Sequence, residues 1–508
     1  MEEIPAGDRR IAGSNSRCAR QVRIDPEKSP ARRAQGLTNG PCLRQSRPQS
    51  PPLAPFRLND ALHPAAALDR ARHKAYWRLL PLVFVCYLIA YIDRSNVSIA
   101  KLTMSVSLPE FNEAVIGIGS GIFYFGYGLL EIPGAVFVER WSARQWICRI
   151  MITWGIIAAL TSAVRTPEQF YIVRFFLGLA EAGFFPGVIV YLTHWFPRRD
   201  RARALAFFVI AQPVSQIVSL KITNAIIKIG TTEKINGALV HHAKLFGLEG
   251  WQWVYIFWGV PAVILGVVVW FTLTDWPRDA KWLTVEEKSA LETELLREKN
   301  LHSQPKNRNL LTAFKNPKII LLTLAYFCSV SASLGLELFM PSILKDWYKL
   351  DINNVTWLVM LPPALGLAGM LFVGWNSDRT KERRLHVILP VAISLVALAL
   401  APRTQGTGAL NLYLTMICFM LAAAGLKAYQ PAFWSLPHMV LTESAAAGAI
   451  GLINSFGNLG GFYGQAMLGN VKELTGSYVN GLYLLCGSLA IFIVIILSLG
   501  LGRRDKTA

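Results

Sequence analysis

Long apolar segments recur along most of this chain and restrict the folds open to it. We count about twelve, near 79–100, 115–138, 146–164, 168–194, 203–228, 252–273, 318–344, 355–376, 385–401, 409–431, 444–470 and 479–502. A helix needs roughly 20 apolar residues to cross a bilayer. A membrane-spanning barrel would instead alternate apolar and polar residues. The pattern therefore predicts an all-α, polytopic protein of twelve transmembrane helices.

The composition agrees with that prediction. The 508 residues are 53% hydrophobic and only 16% charged, whereas a soluble domain carries about 25% charged residues. The formal net charge of +19 could suggest nucleic acid as a partner. Much of it lies in alternate short loops and after the last segment, around 140–149, 198–203, 379–384 and 503–506. By the positive-inside rule these loops are cytoplasmic and both termini lie inside, so we expect a lipid bilayer and no nucleic acid.

Two polar regions divide the chain. Residues 1–72 are rich in Arg, Pro, Ser and Gln, so we expect a disordered basic tail, or residues added by a misassigned start. Residues 274–317 are highly charged, and Thr284 with Glu287 forms a capping-box pattern for a short amphipathic helix. We therefore predict two six-helix bundles, 73–273 and 318–502. A cytoplasmic linker at 274–317 joins them, and a short cytoplasmic C-terminus follows at 503–508.

A charged pattern occurs at corresponding places in the two predicted bundles. It is a small residue followed four positions later by an acid and an arginine, after the second and the eighth segments. Recurrence favours an internal duplication with two pseudo-symmetric bundles. The alternative is a plain positive loop with a chance acid. The predicted gating residues are Glu139, Arg140, Arg144, Gly374, Asp378 and Arg379.

Ionisable residues inside the apolar segments indicate function. Asp93-Arg94 lies in the first segment, where each charge costs ~2.5–3.5 kcal/mol at the membrane centre. Arg174 and Glu181 are seven residues apart in the fourth, so they share a helix face about 10 Å apart along the axis.

The seven cysteines show no CxxC spacing, and we expect neither disulfides nor a metal site.

Longer motifs in order along the chain carry a family resemblance. They include Tyr91-Ile-Asp93-Arg94-Ser-Asn96, the 174–186 run RFFLGLAEAGFFP, the 194–203 loop HWFPRRDRAR and the 454–461 run NSFGNLGG. Over roughly residues 75–502 the chain resembles the major facilitator superfamily, and within it the anion:cation symporter family. The resemblance implies a major facilitator fold in a bacterial inner membrane. It also implies import of a small organic anion, such as tartrate, a sugar acid or an aromatic acid, with protons.

Importing an anion with protons needs cationic anchors and a protonatable carboxylate in one cavity. We expect Arg94 and Arg174 to bind the substrate carboxylate, because a guanidinium can bind both of its oxygens. Asp93 and Glu181 are the expected carriers of the coupling proton. The alternative is that Asp93–Arg94 and Arg174–Glu181 are permanent ion pairs that only order the bundle. The other expected substrate contacts are Tyr91, Tyr127, Gln212 and Asn454.

Glu337 in the seventh segment and Lys427 in the tenth are two further substrate-binding candidates. Lys427 could bind a second carboxylate, and Glu337 could bind an amine or a hydroxyl. The alternative is a mutual ion pair between the two spans. Lys101 and Lys221 are weaker candidates, because their long side chains can extend to a membrane interface.

Other classes of function remain open to a chain of this kind. An organic-anion exporter or exchanger is possible, since sequence does not set direction, and so is a non-transporting membrane sensor. An enzyme is not expected, because the sequence contains no HExxH, GxSxG or GxxxxGK[ST] motif. We expect no cofactor, and a monomer whose partners are the anion, the proton and the bilayer.

Overall fold

The computed structural model describes residues 58–140, 142–235, 238–301, 316–441 and 443–501. Its elements are mostly long helices. In order they are α1 (Leu58–Ser107), α2 (Glu113–Arg140), α3 (Ala143–Leu160), α4 (Pro167–Glu181), α5 (Phe184–Trp195), α6 (Arg198–Ile227), β1 (Thr232–Ile235), β2 (Ala238–His241), α7 (Gly250–Thr272), α8 (Val285–Leu301), α9 (Pro317–Tyr348), α10 (Ile352–Val359), α11 (Leu361–Thr380), α12 (Arg384–Leu400), α13 (Ala409–Ala428), α14 (Gln430–Phe433), α15 (Leu436–Val440), α16 (Glu443–Thr475) and α17 (Val479–Leu499). Short 3₁₀ turns follow α3, α7 and α12.

The predicted apolar segments are mostly helical. Within the described residues, eleven helical stretches are long and apolar enough to cross a membrane. The remaining predicted segment, 444–470, lies in α16, which is 33 residues long. This helix carries glycines, asparagines and a glutamine because it is covered by protein. Its Gly464, for example, packs on the backbone of Ser331 in α9. The predicted helical, polytopic fold is confirmed on the part of the chain that the structure describes.

The first helix begins earlier than expected. Helix α1 starts at Leu58, so residues 58–72 are helical, and the expected boundary of the tail at residue 72 is wrong. Residues 1–57 lie outside the described part. The early turns are held by polar contacts: Arg72 binds Asp200 through two guanidinium nitrogens, and Lys74 Nζ lies 2.8 Å from Glu287 Oε1. A charged sequence therefore continues the helix beyond the apolar segment.

The fourth predicted span is broken just after Glu181. Helix α4 ends at Glu181, and Gly183 has φ 83° before α5 begins. Only glycine adopts that conformation without steric cost. A Cβ at Gly183 would also lie 3.1 Å from Gly134 Cα of α2. The break fixes Glu181 at a buried helix end instead of in mid-helix.

Close packing of α4 on α2 positions the rest of the site. A Cβ at Gly178 would lie 2.1 Å from Phe123 O, so only glycine permits this approach. Arg174 and Glu181 lie on either side of Gly178 along the helix. As a result they are held against the stretch of α2 that carries Phe123 and Tyr127.

The connections between spans include two local structures. A hairpin joins α6 to α7, with β1 and β2 antiparallel and Thr232 opposite His241; it is the only sheet among the described residues, and the all-helical prediction did not include it. In the linker, Thr284 N donates to Glu287 Oε2 at 3.0 Å, and Glu287 N donates to Thr284 Oγ1 at 3.3 Å. The predicted capping box is therefore confirmed.

Candidate functional site

A buried ion pair joins the first span to the fourth. Arg94 Nε donates to Glu181 Oε1 at 2.7 Å, and Arg94 Nη2 lies 2.7 Å from the same oxygen. The Glu181 side chain is 0% exposed, whereas the Arg94 side chain keeps 16% exposure. The guanidinium carbon of Arg94 lies 4.7 Å from the ring centroid of Tyr127. Glu181 thus pairs with Arg94 of α1, and neither of the two permanent pairs considered from sequence is recorded among the described residues.

Asp93 faces away from this pair. Its Oδ2 accepts a hydrogen bond of 2.9 Å from Trp154 Nε1 of α3. Its Oδ1 has no hydrogen-bond partner among the described residues, and the residue is 1% exposed. Neighbouring helix residues point about 100° apart, which explains why Asp93 and Arg94 contact different helices.

Arg174 is a buried cation without a complete set of acceptors. It is 2% exposed, and its Nε and Nη1 have no hydrogen-bond partner within the described residues. Its guanidinium carbon lies 5.2 Å from the Phe123 ring centroid, and that of Arg94 lies 5.4 Å from the same ring. A guanidinium has five N–H donors. Unfilled donors on a buried arginine beside a second arginine are suited to an incoming anion.

Three of the four neutral substrate contacts expected from sequence lie around Arg94. Tyr91 OH accepts a hydrogen bond from Gln212 Nε2 of α6, and the Arg94 guanidinium carbon is 6.0 Å from the Tyr91 ring centroid. Tyr127 lies against Arg94, as described above. Asn454, in contrast, donates to Glu131 Oε1 of α2.

Glu131 is a buried carboxylate that sequence reasoning missed. It is 5% exposed, and its Oε2 has no hydrogen-bond partner among the described residues. A signal was present, because Glu131 lies inside the predicted second span, four residues after Tyr127. An acid within an apolar segment is a candidate functional residue, and this holds for Glu131 in the second span as it does for Asp93 in the first.

Glu337 and Lys427 line one cavity between the two halves of the chain. The cavity is partly open, and the empty space within it, counted together with the adjoining solvent, is about 630 Å³. Glu337 Oε1 accepts a hydrogen bond from Gln216 Nε2 of α6. No ion pair joins Glu337 to Lys427 within the described residues, so the mutual pair considered from sequence is not observed. The hydrogen-bonding side chains that line the cavity are Ser95, Ser98, Gln216, Ser333, Glu337 and Lys427.

The first gating pattern is only partly described. The side chains of Glu139 and Arg140 lie outside the described part of the structure. Arg144 N donates to Asp275 Oδ1 at 2.9 Å, and Arg144 Nη1 donates to Trp270 O at 3.4 Å. The start of α3 is therefore attached to the chain at the end of α7, through an aspartate that the motif did not include.

The second gating pattern makes local contacts. Asp378 Oδ1 lies 2.7 Å from Arg383 Nη1 in the following loop. The Arg379 guanidinium carbon lies 5.5 Å from the ring centroid of Trp375, one turn earlier in the same helix. A Cβ on Gly374 would lie 3.4 Å from Pro431 Cβ. Among the described contacts of Gly374, Asp378 and Arg379, only that of Gly374 reaches a neighbouring helix.

Lys101 is buried in an ion pair and does not reach solvent. It is 2% exposed, and its Nζ lies 2.9 Å from Glu113 Oε2. Glu113 Oε1 also accepts a hydrogen bond of 2.8 Å from Tyr478 OH, just before α17. The expectation for Lys101 was wrong because the partner acid lies at the start of the next helix. Lys221 is exposed, with Nζ 4.8 Å from the Trp357 ring centroid.

Comparison with known proteins gives consistent results. The sequence profile of the Major Facilitator Superfamily matches residues 83–465. The "Putative tartrate transporter" of Agrobacterium vitis is 38% identical over 439 residues, which cover 86% of this chain and 93% of that relative. The "Putative metabolite transport protein NicT" of Pseudomonas putida is 36% identical over 433 residues, covering 85% and 95%.

A solved structure supports the fold. The crystal structure of a D-xylose-proton symporter superposes with a TM-score of 0.65 and covers 85% of this chain and 98% of that one. Sequence identity in this comparison is 14%, so the likeness concerns the fold alone.

Proposed function

Because the chain belongs to the Major Facilitator Superfamily, it is a membrane transporter and not an enzyme, and we propose that it imports a small organic anion together with protons. The observation that carries this proposal is the cluster of a partly buried arginine, Arg94, and a buried one, Arg174, with two buried carboxylates, Asp93 and Glu181. A relative named for tartrate supports the class of substrate.

The charge balance of the cluster links anion binding to proton binding. With all four groups ionised, the cluster is neutral. A substrate carboxylate would add one negative charge in a low-dielectric site, where an uncompensated charge is costly. A proton taken up by a carboxylate of the cluster restores neutrality. Proton and anion therefore favour each other's binding, which is the thermodynamic requirement for symport.

Glu181 is the carboxylate best placed to exchange its proton with substrate binding. While ionised, it occupies Arg94 Nε and Nη2. When Glu181 takes up a proton, its attraction to Arg94 weakens, and the two guanidinium nitrogens become free for the substrate carboxylate. The unfilled donors of Arg174 provide a second anchor. Asp93 is held by the neutral donor Trp154 and contributes to the charge balance.

The cavity between the halves would hold the remainder of the substrate. Lys427 offers a cation there without a recorded ion-pair partner in the described part of the chain, and Glu337 accepts from Gln216 across the two halves. A second carboxylate would bind Lys427, and a hydroxyl or an amine would bind Glu337. None of the fourteen lining residues is aromatic, which favours a hydroxylated aliphatic acid over an aromatic one.

Contacts at one end of the bundle support alternating access. Lys345 Nζ of α9 donates to Leu102 O of α1 at 3.3 Å, and Asn224 Nδ2 of α6 donates to Asn353 Oδ1 of α10 at 2.7 Å. With the Glu113–Tyr478 bond, these contacts join the two halves on the face that the positive-inside rule makes external. Closure of the external face by such contacts is expected in part of an alternating-access cycle of an inner-membrane protein with both termini in the cytoplasm.

Replacing Glu181 by Gln tests the coupling. The amide mimics the protonated carboxyl, so Arg94 remains free for the anion in purified protein in liposomes. Exchange of labelled tartrate or another accepted acid should stay within about threefold of wild type, whereas accumulation driven by a proton gradient should be lost. Glu168→Gln, an exposed acid on the same helix, is the matched control and should retain both activities. Undiminished uphill uptake by the Glu181 variant would contradict the proposal.

A further inference from the structure

A buried carboxylate, Glu131, lies where the two halves meet. It belongs to α2, in the first half, and it accepts a hydrogen bond from Asn454 of α16, in the second. Ser455 and Asn458 of α16 also interact with it. Within the described residues no cation lies within ion-pair distance of it. It is therefore a desolvated acid whose direct partners are neutral.

Helices α2 and α16, which meet at Glu131, pack closely nearer the other end of their contact, around Gly117 and Gly121. A Cβ on Gly117 would lie 2.5 Å from Gln465 O, and one on Gly121 would lie 2.9 Å from Phe462 O. Glu113, about 27 Å away along α2 by the helical rise, closes the far end with Lys101 and Tyr478. Glu131 is thus placed where separation of α2 from α16 would first admit water.

These observations lead to one inference, which rests on the proposed proton-coupled transport. We propose that Glu131 is a second proton-binding carboxylate of the cycle, and that its protonation state controls the contact between α2 and α16. In the closed contact, burial without a cation favours the neutral carboxyl. When the helices separate, water solvates the carboxylate and favours release of the proton.

The surroundings of Glu131 fit a titrating site. The other charged or titratable groups that face it are Arg94 from α1, Tyr127 from its own helix and Tyr326 from α9. Of these only Arg94 is a cation, and it is already bound to Glu181. Release of Glu181 from Arg94 on anion binding would change the field at Glu131. The two carboxylates therefore report on different events: Glu181 on the presence of substrate, and Glu131 on the contact between the halves.

A distance measurement without substrate tests the inference. Spin labels replace Phe137 on α2 and Met439 on α15, both exposed, in full-length protein with its native cysteines changed to serine. Electron–electron resonance then gives the distance between labels from acidic to alkaline pH. We expect the distance to lengthen as pH rises, because ionised Glu131 disfavours the contact. The Glu131→Gln variant should keep the short distance at every pH.

A second variant and a control separate the outcomes. Asn454→Ala removes a donor to the carboxylate and should move the midpoint of the distance change upward by about one pH unit. Glu110→Gln, an exposed loop acid, should behave as wild type. The inference is overturned if wild type shows no change with pH, or if Glu131→Gln changes as wild type does. Because the measurement uses no substrate, failure of the transport proposal would appear only in uptake assays.

Discussion

The charged residues of the two halves are arranged differently. In the first half, Arg94 forms an ion pair with the buried Glu181. The guanidinium groups of Arg94 and Arg174 both lie near the ring of Phe123. In the second, Lys427 and Glu337 line one cavity without an ion pair between them. A paired cation can be released by a proton, whereas a cation facing a cavity is available at all times. The difference suggests that the first half couples transport to protons and that the second selects the substrate.

The largest effect should come from breaking the pair in the first half. Arg94→Gln leaves Glu181 buried without its cation and removes the substrate anchor. Labelled-acid exchange in liposomes should fall at least about 30-fold, since losing one partner of a buried charge pair costs about 2–5 kcal/mol. Arg165→Gln, an exposed arginine in the loop before α4, is the control. Exchange close to wild type in the Arg94 variant would remove this residue from the site.

A smaller and more selective effect is expected in the second half. Lys427→Met should raise the KM for dicarboxylates about tenfold relative to monocarboxylates, because one charge-assisted hydrogen bond is worth ~1.5–3 kcal/mol. Proton-driven accumulation of a monocarboxylate should persist. Lys221→Met, at an exposed lysine of α6, should leave both constants unchanged. Equal changes for both classes of acid would show that Lys427 does not discriminate between them.

The smallest effect concerns the linker helix, whose Glu287 contacts Lys74 of α1. Burial raises the pKa of Glu287, but hydrogen bonds from Lys74 and the Thr284 backbone outweigh it, and the pKa is lowered overall. A carboxylate whose pKa is lowered in the folded protein stabilises the fold at any pH above its ordinary, unfolded-state pKa. That contribution is lost as the pH falls through the lowered, folded-state pKa. At neutral pH, Glu287→Gln should cost about 1 kcal/mol, seen as a lower melting temperature in detergent.

Melting temperatures measured at acidic pH test the predicted effect of Glu287→Gln. The difference in melting temperature between wild type and Glu287→Gln should shrink as the pH falls below the ordinary pKa of a glutamate side chain. Glu286→Gln, the exposed neighbour, should match wild type at every pH. A difference that does not depend on pH would assign the loss to the capping box and not to the charge.

Much of the fold could be predicted from sequence because span length and hydropathy are local properties. The positions of the spans, the linker helix and its capping box follow from short windows of residues. The early start of α1 could not be predicted in this way, because Asp200 and Glu287, which bind Arg72 and Lys74 of this helix, are distant in sequence. The break after Glu181 depends on Gly183 packing against Gly134, a contact between helices.

The candidate site was predictable in its members but not in its pairings. Helical spacing shows which residues share a face of one helix, as for Arg174 and Glu181. It does not show which helices are neighbours, so the Arg94–Glu181 pair and the Trp154–Asp93 bond required the structure. Asn454 likewise donates to Glu131 of α2, a contact between helices that sequence spacing does not show.

The most direct test of coupled transport is substrate-induced proton movement in liposomes that carry the wild-type protein and a trapped pH-sensitive dye. No proton gradient is imposed, and an acid shown to be accepted by exchange is added outside. We expect the lumen to acidify as the labelled acid enters, and the Glu181→Gln variant to admit the acid without acidification. Entry of the acid into wild-type vesicles with no change in internal pH would contradict proton symport.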